Sequence, residues 1–137
     1  MNNKYILLEV DMKILDDLFY TETHEWVKLE GDTAYVGITD FAQQELGEIV
    51  YVELPEAGDT VTSGEPFGSV ETSKAVEDVN SPISGEVLSV NSELEDSAET
   101  VNNSPFEDGW LIKVRLSDKN EISKLISAAA YKKIIEG

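Results

Sequence analysis

The chain is organised around residues 67–83, which read FGSVETSKAVEDVNSPI. Val70 and Thr72 before the centre of this stretch, and Val76 after it, favour extended backbone. No glycine or proline marks a wide loop around the central Ser–Lys pair. The pattern therefore predicts a tight hairpin with Lys74 at or beside its tip.

Lys74 is the only cation between Lys28 and Lys113, and it lies between Glu71 and Glu77. A surface lysine in a turn is usually an ordinary solvated side chain. A lysine held at the end of a rigid hairpin could also serve as a protruding attachment point. The hairpin alone leaves both interpretations open.

The composition describes a globular chain of 137 residues with 41% hydrophobic and 28% charged residues, which suits one domain. The net charge of -18 argues against a nucleic acid or an anionic membrane as partner, because both require a basic face. The charge fits partners with basic patches, or solubility alone. Since cysteine is absent, any thiol chemistry must come from a group attached to the chain.

The N-terminal residues show no targeting or membrane segment. No run approaches the ~20 apolar residues of a membrane span, and residues 1–11 resemble neither a signal nor a transit peptide. We therefore expect a cytoplasmic protein. Residues 1–19 are assigned to an N-terminal extension of uncertain structure, with a possible helical turn at Ile14, Leu15 and Leu18, and residues 20–137 to the main domain.

The main domain begins with a strand pattern. Residues 26–29 and 34–38 flank the turn sequence EGDT and predict a hairpin. Asp40 is expected to cap a short helix, with Gln43 completing a capping box and Gly47 ending the helix.

From Gly47 onward the chain repeats itself. GEIVYV at 47–52 returns as GEVLSV at 85–90, TV at 60–61 returns at 100–101, and PF at 66–67 returns at 105–106. Two similar all-β halves predict a mainly β fold, a flattened barrel or sandwich of two quasi-symmetric halves, in which Gly47 and Gly85 are structural. The Lys74 turn lies at the junction of the halves.

A last strand and a C-terminal helix complete the prediction. Residues 110–116 form the strand, and the helix presents an apolar face of Ile122, Leu125, Ile126 and Ala129. Ser117 or Asn120 is expected to cap this helix, which would cover the core without chemistry of its own.

Classical catalytic sets are poorly supplied. His24 is the sole histidine, so a zinc site would need several carboxylates brought to it, and no spacing indicates one. A serine triad using His24 is not excluded, but no nucleophile-elbow motif or glycine-rich phosphate loop is present. We therefore predict no catalytic and no metal site, and interpret His24 as a structural hydrogen-bonding residue near the start of a strand.

The stretch ETSKA at 71–75 resembles the attachment hairpin of lipoyl and biotinyl carrier domains. Biotin carriers have methionine on both sides of the lysine, whereas Ser73 and Ala75 stand here, which favours lipoylation. A closer resemblance, from about Leu18 to the C-terminus, is to the H-protein family of the glycine cleavage system. It rests on HEWV at 24–27, VGITD at 36–40 with AQ at 42–43, LGEIVYVELP at 46–55, NSPISG at 80–85 and EDGWL at 107–111.

This resemblance implies a carrier and not an enzyme. Lipoate attached to Lys74 by lipoyl-attaching enzymes would accept an aminomethyl group from a pyridoxal-phosphate glycine decarboxylase. A tetrahydrofolate-dependent aminomethyltransferase would take the one-carbon unit, and a flavin-containing dihydrolipoamide dehydrogenase would reoxidise the dithiol. Thr72-Ser73 is a mild departure from the commonest Ser-Val before the lysine. Two alternatives stay open, a lipoyl carrier serving lipoate transfer to other enzymes and an unmodified acidic interaction module.

The resemblance also implies a cleft for the loaded arm. By motif match its residues are Glu25 and Asp78, with Thr23 beside them. Without the match, both acids would be interpreted as solvated surface residues. The cleft requires Glu25 and Asp78 to lie close in the fold, on strands that face one groove.

Overall fold

The computed structural model describes residues 12–136. The expectations for residues 1–11, an extension without a targeting segment, lie outside the described residues. Nine strands, three α-helices and two 3₁₀-helices follow one another in this part of the chain: β1 Phe19–Tyr20, β2 Glu25–Glu30, β3 Thr33–Ile38, α1 Asp40–Leu46, β4 Ile49–Glu53, β5 Thr60–Val61, β6 Pro66–Thr72, β7 Val76–Asn80, β8 Gly85–Val90, a 3₁₀-helix Ser92–Glu95, α2 Thr100–Asn103, β9 Ile112–Leu116, a 3₁₀-helix Lys119–Lys124 and α3 Ala128–Glu136.

The strands form two sheets, which confirms the mainly β fold class. The large sheet has the order β1-β2-β3-β9-β8-β5, and the small sheet has the order β4-β6-β7. All pairs are antiparallel. Alternating apolar side chains of both sheets, such as Val27, Val36, Val70 and Val87, meet in one buried core. No helix in residues 12–136 is long and apolar enough to cross a membrane.

Both predicted hairpins are confirmed. In the first, β2 and β3 pair over their full length around a two-residue turn, and Gly31 in that turn has a φ of +66°. This left-handed conformation costs glycine nothing, which explains the residue found there. In the second, β6 and β7 pair through Glu71 and Val76, so that Ser73 and Lys74 lie at the turn.

The predicted helix after the first hairpin exists, but its cap is Thr39 and not Asp40. The Thr39 side chain accepts a hydrogen bond from the backbone amide of Ala42, and Asp40 is the first helical residue. Asp40 instead accepts hydrogen bonds from the Gln43 side chain and from the backbone amide of Lys13. The predicted capping box is therefore wrong by one position, while Gly47 ends the helix as expected.

The sequence repeat is only partly a structural repeat. The two Gly-Glu segments do lead into β4 and β8, but Thr60–Val61 is a strand whereas Thr100 and Val101 begin α2. Tertiary contacts explain this difference. The side chain of Asn102 accepts from the Ile49 amide at 2.9 Å and donates to the Gly47 carbonyl at 2.8 Å, which holds this segment as a helix against α1 and β4.

The C-terminal helix begins later than predicted. Its expected apolar face is divided, because Ile122 lies in a 3₁₀-helix and Ala129 in α3, while Ile126 pairs with Tyr20 across a β-bridge. Asp118 caps the 3₁₀-helix, and the Ser127 hydroxyl accepts from the Ala130 amide at the start of α3, so the predicted caps Ser117 and Asn120 are wrong. The bridge at Ile126 uses backbone groups that a continuous helix would have needed.

Residues 12–18 pack against the same structure. Ile14 and Leu18 are buried beside Tyr20, and the backbone of Leu15 exchanges two hydrogen bonds with the Tyr20 hydroxyl. The suggested helical turn at this point is wrong, since residues 14–18 contain no helix. The division of the chain at residues 19 and 20 stays a prediction.

Candidate functional site

The Lys74 turn is fixed by a single threonine side chain. The Thr72 hydroxyl oxygen accepts hydrogen bonds from the backbone amides of Lys74 and Ala75, both at 3.2 Å, and the Thr72 amide donates to the Ala75 carbonyl. Thr72 itself is buried, whereas Lys74 is exposed. The β-branched residue that ends β6 thus holds the turn and leaves the lysine accessible to another molecule.

Glu25 differs from an ordinary surface acid, because it is only 2% exposed at the start of β2. Its Oε1 accepts hydrogen bonds from the hydroxyls of Thr21, at 2.6 Å, and Thr23, at 2.5 Å, while its Oε2 accepts from the backbone amide of Asn80 at 3.2 Å. Burial raises the pKa of Glu25, and the three hydrogen bonds act in the opposite direction. A cation placed beside this carboxylate would therefore favour its ionised form.

A cavity of about 340 Å³ separates β2 and α1 from β7. Glu25, Thr23 and Asp78 all line it, so the structure brings the three predicted cleft residues to one groove. The bond from Asn80 to Glu25 joins the two walls, because Asn80 ends β7 and Glu25 begins β2. The role of this groove as the cleft for a loaded arm stays a prediction.

Glu77 also lines the cavity, and the sequence analysis missed it. Glu77 lies opposite Val70, whose side chain is buried in the core, so the strand alternation places Glu77 on the same face as Val79, although Glu77 itself is exposed. Asp78 is paired with Ser69 and is exposed. The alternation of β7 could have identified Glu77 if the inward register of the strand had been assigned from Val79.

Apolar side chains form much of the remaining wall. Phe41, Leu46 and Val70 lie along the cavity, with Glu45 at the same wall of α1. A groove that combines apolar surface with several carboxylates can hold an extended apolar arm that ends in a cation. No group of acids and histidine suited to a metal ion occurs in residues 12–136.

His24 is placed at the cavity by an unusual backbone conformation. Its φ is +74°, the only positive value among the described residues other than glycine. The ring packs on Phe41 at 4.7 Å between centroids, and Nδ1 lies 2.8 Å from the Tyr131 hydroxyl. Burial lowers the pKa of His24, with the Glu45 carboxylate acting in the opposite direction. The predicted structural hydrogen bond of His24 is confirmed.

Comparison with known proteins gives this geometry its context. The family model described as "Glycine cleavage H-protein" matches residues 18–137. The chain belongs to the glycine cleavage H-protein family. Relatives named "Glycine cleavage system H protein" include one from Anaeromyxobacter sp. (strain K), 52% identical over 125 residues that cover 91% of this chain and 98% of the relative. Another, from Halalkalibacterium halodurans, is 55% identical over 120 residues, or 88% of this chain and 94% of the relative.

The similarity extends to a plant protein and to a solved structure. "Glycine cleavage system H protein 2, mitochondrial" of Arabidopsis thaliana is 53% identical over 123 residues, covering 90% of this chain and 79% of the relative. The crystal structure of a glycine cleavage system H protein from Mycobacterium marinum superposes with a TM-score of 0.83 at 36% identity, covering 90% of this chain and all of the other. These relatives confirm the H-protein family that the sequence motifs indicated.

Thr21 and the amide of Asn80 are two further parts of the site that sequence reasoning missed. Thr21 carries a visible signal, since it precedes Thr23 and Glu25 at alternate positions near a strand start. The Asn80 contribution is a backbone amide, and no side-chain pattern reveals which amide faces a carboxylate in another sheet.

Proposed function

We propose that the chain is a lipoylated carrier that shuttles the aminomethyl group of glycine between a pyridoxal-phosphate glycine decarboxylase and a tetrahydrofolate-dependent aminomethyltransferase. A flavin-containing dihydrolipoamide dehydrogenase then reoxidises the dithiol of the lipoyl group. The observation that carries this proposal is the exposed Lys74 on a fixed turn beside a cavity containing a buried carboxylate, in a member of the H-protein family. A cytoplasmic location stays a prediction.

The residues at the tip fit a covalently attached lipoyl group. The amine of Lys74 is accessible, the turn that bears it is held by Thr72, and Asp78 and Asn80 follow on the same strand toward the cavity. When attached as an amide, lipoate supplies a disulfide that accepts the one-carbon unit and leaves a dithiol for reoxidation. The chain has no cysteine, so the fold itself provides position and surroundings only.

The cavity is proposed to shelter the loaded end of the arm. An amine at this end is a cation at neutral pH, and Glu25, Glu77 and Asp78, which all line the cavity, are the acids proposed to meet it. Charge-assisted hydrogen bonds of this kind are about twice as strong as neutral ones. Holding the amine against these acids, with Phe41 and Leu46 excluding water, slows hydrolysis of the aminomethyl load to formaldehyde and ammonia.

The carrier role is tested by reconstitution. Lipoylated protein is incubated with glycine decarboxylase and glycine, and intact mass with peptide mapping follows loading on the Lys74 peptide. We expect loading of the wild type and none of Lys74→Arg, which keeps the charge but forms no lipoyl amide. Lipoylation without loading by the decarboxylase would instead favour the carrier for lipoate transfer, and absence of any lipoylation would favour the unmodified module.

The cleft is tested separately with Glu25→Gln, Glu77→Gln and Asp78→Asn, each compared with Glu95→Gln at an exposed position of a 3₁₀-helix. Each variant should be lipoylated normally. Glu25→Gln should release ammonia from the loaded protein roughly tenfold faster, since a hydrogen bond to a charged group contributes about 1.5–3 kcal/mol and 1.4 kcal/mol is tenfold. Release at the wild-type rate from all three variants would exclude these acids from the cleft.

A further inference from the structure

Exposed apolar side chains gather at one place on this acidic protein. Among residues 12–136, four large apolar side chains are exposed: Val50 at 54%, Tyr51 at 50%, Val76 at 61% and Ile134 at 41%. Ile134 lies on α3, whereas the other three lie on the small sheet beside the Lys74 turn. Exposed apolar residues are ordinary when scattered singly, but a cluster indicates an interaction site.

A β-bulge accounts for two of these three residues, Val50 and Tyr51. Ile49 pairs with Thr72 and Tyr51 pairs with Glu71, so that Val50 is the extra residue between the two pairs. In a regular strand, Val50 and Tyr51 would point to opposite faces and one of them would enter the core. The bulge turns both toward solvent, which is the kind of redirection that bulges provide near functional sites.

The register completes the cluster across the sheet. Tyr51 lies opposite Glu71, and Glu71 lies opposite Val76, so the three side chains form one row on the outer face of the small sheet. Val76 is two residues from Lys74, and the Ile49–Thr72 pair is the next step from the row toward the turn. We name Val50, Tyr51 and Val76 the tip patch.

We propose that the tip patch is the docking surface for the enzyme that acylates Lys74. That enzyme must bring its active site to the lysine Nζ. Its surface therefore covers the residues beside the turn, whereas enzymes that use the arm act at its distal end. Because Glu71 lies in the middle of the row, we expect the matching surface of the enzyme to be apolar and to carry a cation that faces Glu71. This inference rests on the proposed lipoylation of Lys74.

The reaction at this surface is an acyl transfer. The deprotonated Nζ of Lys74 attacks the carbonyl carbon of an activated lipoyl donor, such as an acyl adenylate. A C–N bond forms, the bond to the activating group breaks, that group leaves with the electron pair, and the nitrogen releases one proton to a base of the acylating enzyme or to solvent. The tip patch touches none of these atoms, so its contribution lies in binding, and its loss should raise KM more than it lowers kcat.

The test measures acylation of unlipoylated protein by a purified lipoate–protein ligase with lipoate and ATP, using intact mass to obtain initial rates. The variant combines Val50→Thr, Tyr51→Thr and Val76→Thr, since threonine is a β-branched residue suited to exposed strand positions. The matched control is Ile134→Thr, which also removes an exposed apolar group but on α3. Thermal unfolding of both variants establishes that they fold.

We expect kcat/KM to fall at least tenfold for the tip-patch variant, mainly through KM, and to stay within twofold for Ile134→Thr. Equal kcat/KM for the tip-patch variant and wild type would overturn the inference and leave the carrier function intact. Normal acylation combined with a raised KM for glycine decarboxylase would also overturn it, since the patch would then serve another enzyme. Failure of the wild type to be acylated on Lys74 would contradict the proposed function itself.

Discussion

The two sheets of the molecule meet different requirements. In the large sheet, β2 is paired on both sides, and it begins with Glu25 buried among hydrogen-bond donors. In the small sheet, β7 is an edge strand, and it follows a turn on which Lys74 is exposed. In the proposed function, Lys74 is modified by another enzyme and needs access from outside, whereas Glu25 binds a cation and needs the exclusion of water. One hydrogen bond, from Asn80 to Glu25, links these two parts of the molecule.

The first way to test this contrast is to move the lysine along the turn. The double variant Ser73→Lys with Lys74→Ser keeps the composition but places the amine at the neighbouring position. Because an acylating enzyme must fit the amine in its active site, we expect lipoylation to fall by about tenfold or more. The free energy of unfolding should stay within about 1 kcal/mol, as for other exposed substitutions. Mass spectrometry and denaturant unfolding measure the two quantities.

Ser73→Ala serves as the control for the shifted lysine, because it changes the same position and leaves Lys74 in place. It should be lipoylated like the wild type. Equal lipoylation of the shifted variant would mean that the position on the turn is not what the enzyme recognises.

The second test is a substitution at Gly85 in the large sheet. A Cβ at this position would lie 1.9 Å from the carbonyl oxygen of Arg115 on the paired strand β9, a distance that forces the two strands apart. We expect Gly85→Val to cost about 3 kcal/mol of unfolding free energy, at the upper end of overpacking costs. Denaturant unfolding measures this loss.

Gly31→Asn is the matched control for Gly85→Val. Gly31 has a φ of +66° and open space around its Cα, and asparagine tolerates this conformation, so the cost should stay below about 1 kcal/mol. A cost for Gly85→Val as small as that of the control would show that β8 and β9 accommodate the side chain.

Most of the fold and the position of the lysine could be predicted from the sequence, because they depend on local patterns. The alternation in residues 67–83 and the EGDT turn each specify a hairpin, and a glycine ends the first helix. The predictions that failed depended on tertiary contacts. Residues 100–101 have a sequence typical of a strand, but the hydrogen bonds of Asn102 hold them in a helix. The backbone bridge at Ile126 makes α3 begin later than predicted.

The site divides in the same way. Glu25 and Asp78 were predicted from motif resemblance, and the structure brings both to one cavity. The burial of Glu25 and its bond to the Asn80 amide could not be predicted, because they depend on how the two sheets approach each other. The role of each acid stays a prediction that the proposed variants address.

The third test concerns the support of the cavity wall from the C-terminal helix. The buried Tyr131 hydroxyl lies 2.7 Å from the Thr39 hydroxyl and 2.8 Å from His24 Nδ1. Tyr131→Phe removes the hydroxyl that joins Thr39 to His24, so that both side chains lose a hydrogen-bond partner. We therefore expect a loss of about 1–2 kcal/mol of unfolding free energy. The exposed Tyr51→Phe should cost almost nothing. Equal effects of the two variants would show that the buried bridge does not stabilise the fold.

The smallest expected effect is a pH dependence that belongs to Glu25 alone. Burial raises the pKa of this carboxyl in the folded protein above its ordinary value of 4.5, which it recovers on unfolding. Between these two pKa values the folded state binds the proton more tightly, so the contribution of Glu25 to stability is greatest at low pH. It declines as pH rises from 4.5 through the folded pKa and is constant above it. Glutamine does not titrate, so the unfolding free energy of wild type minus that of Glu25→Gln should fall across this range. A difference that instead rises with pH would mean that the three hydrogen bonds to Glu25 outweigh its burial.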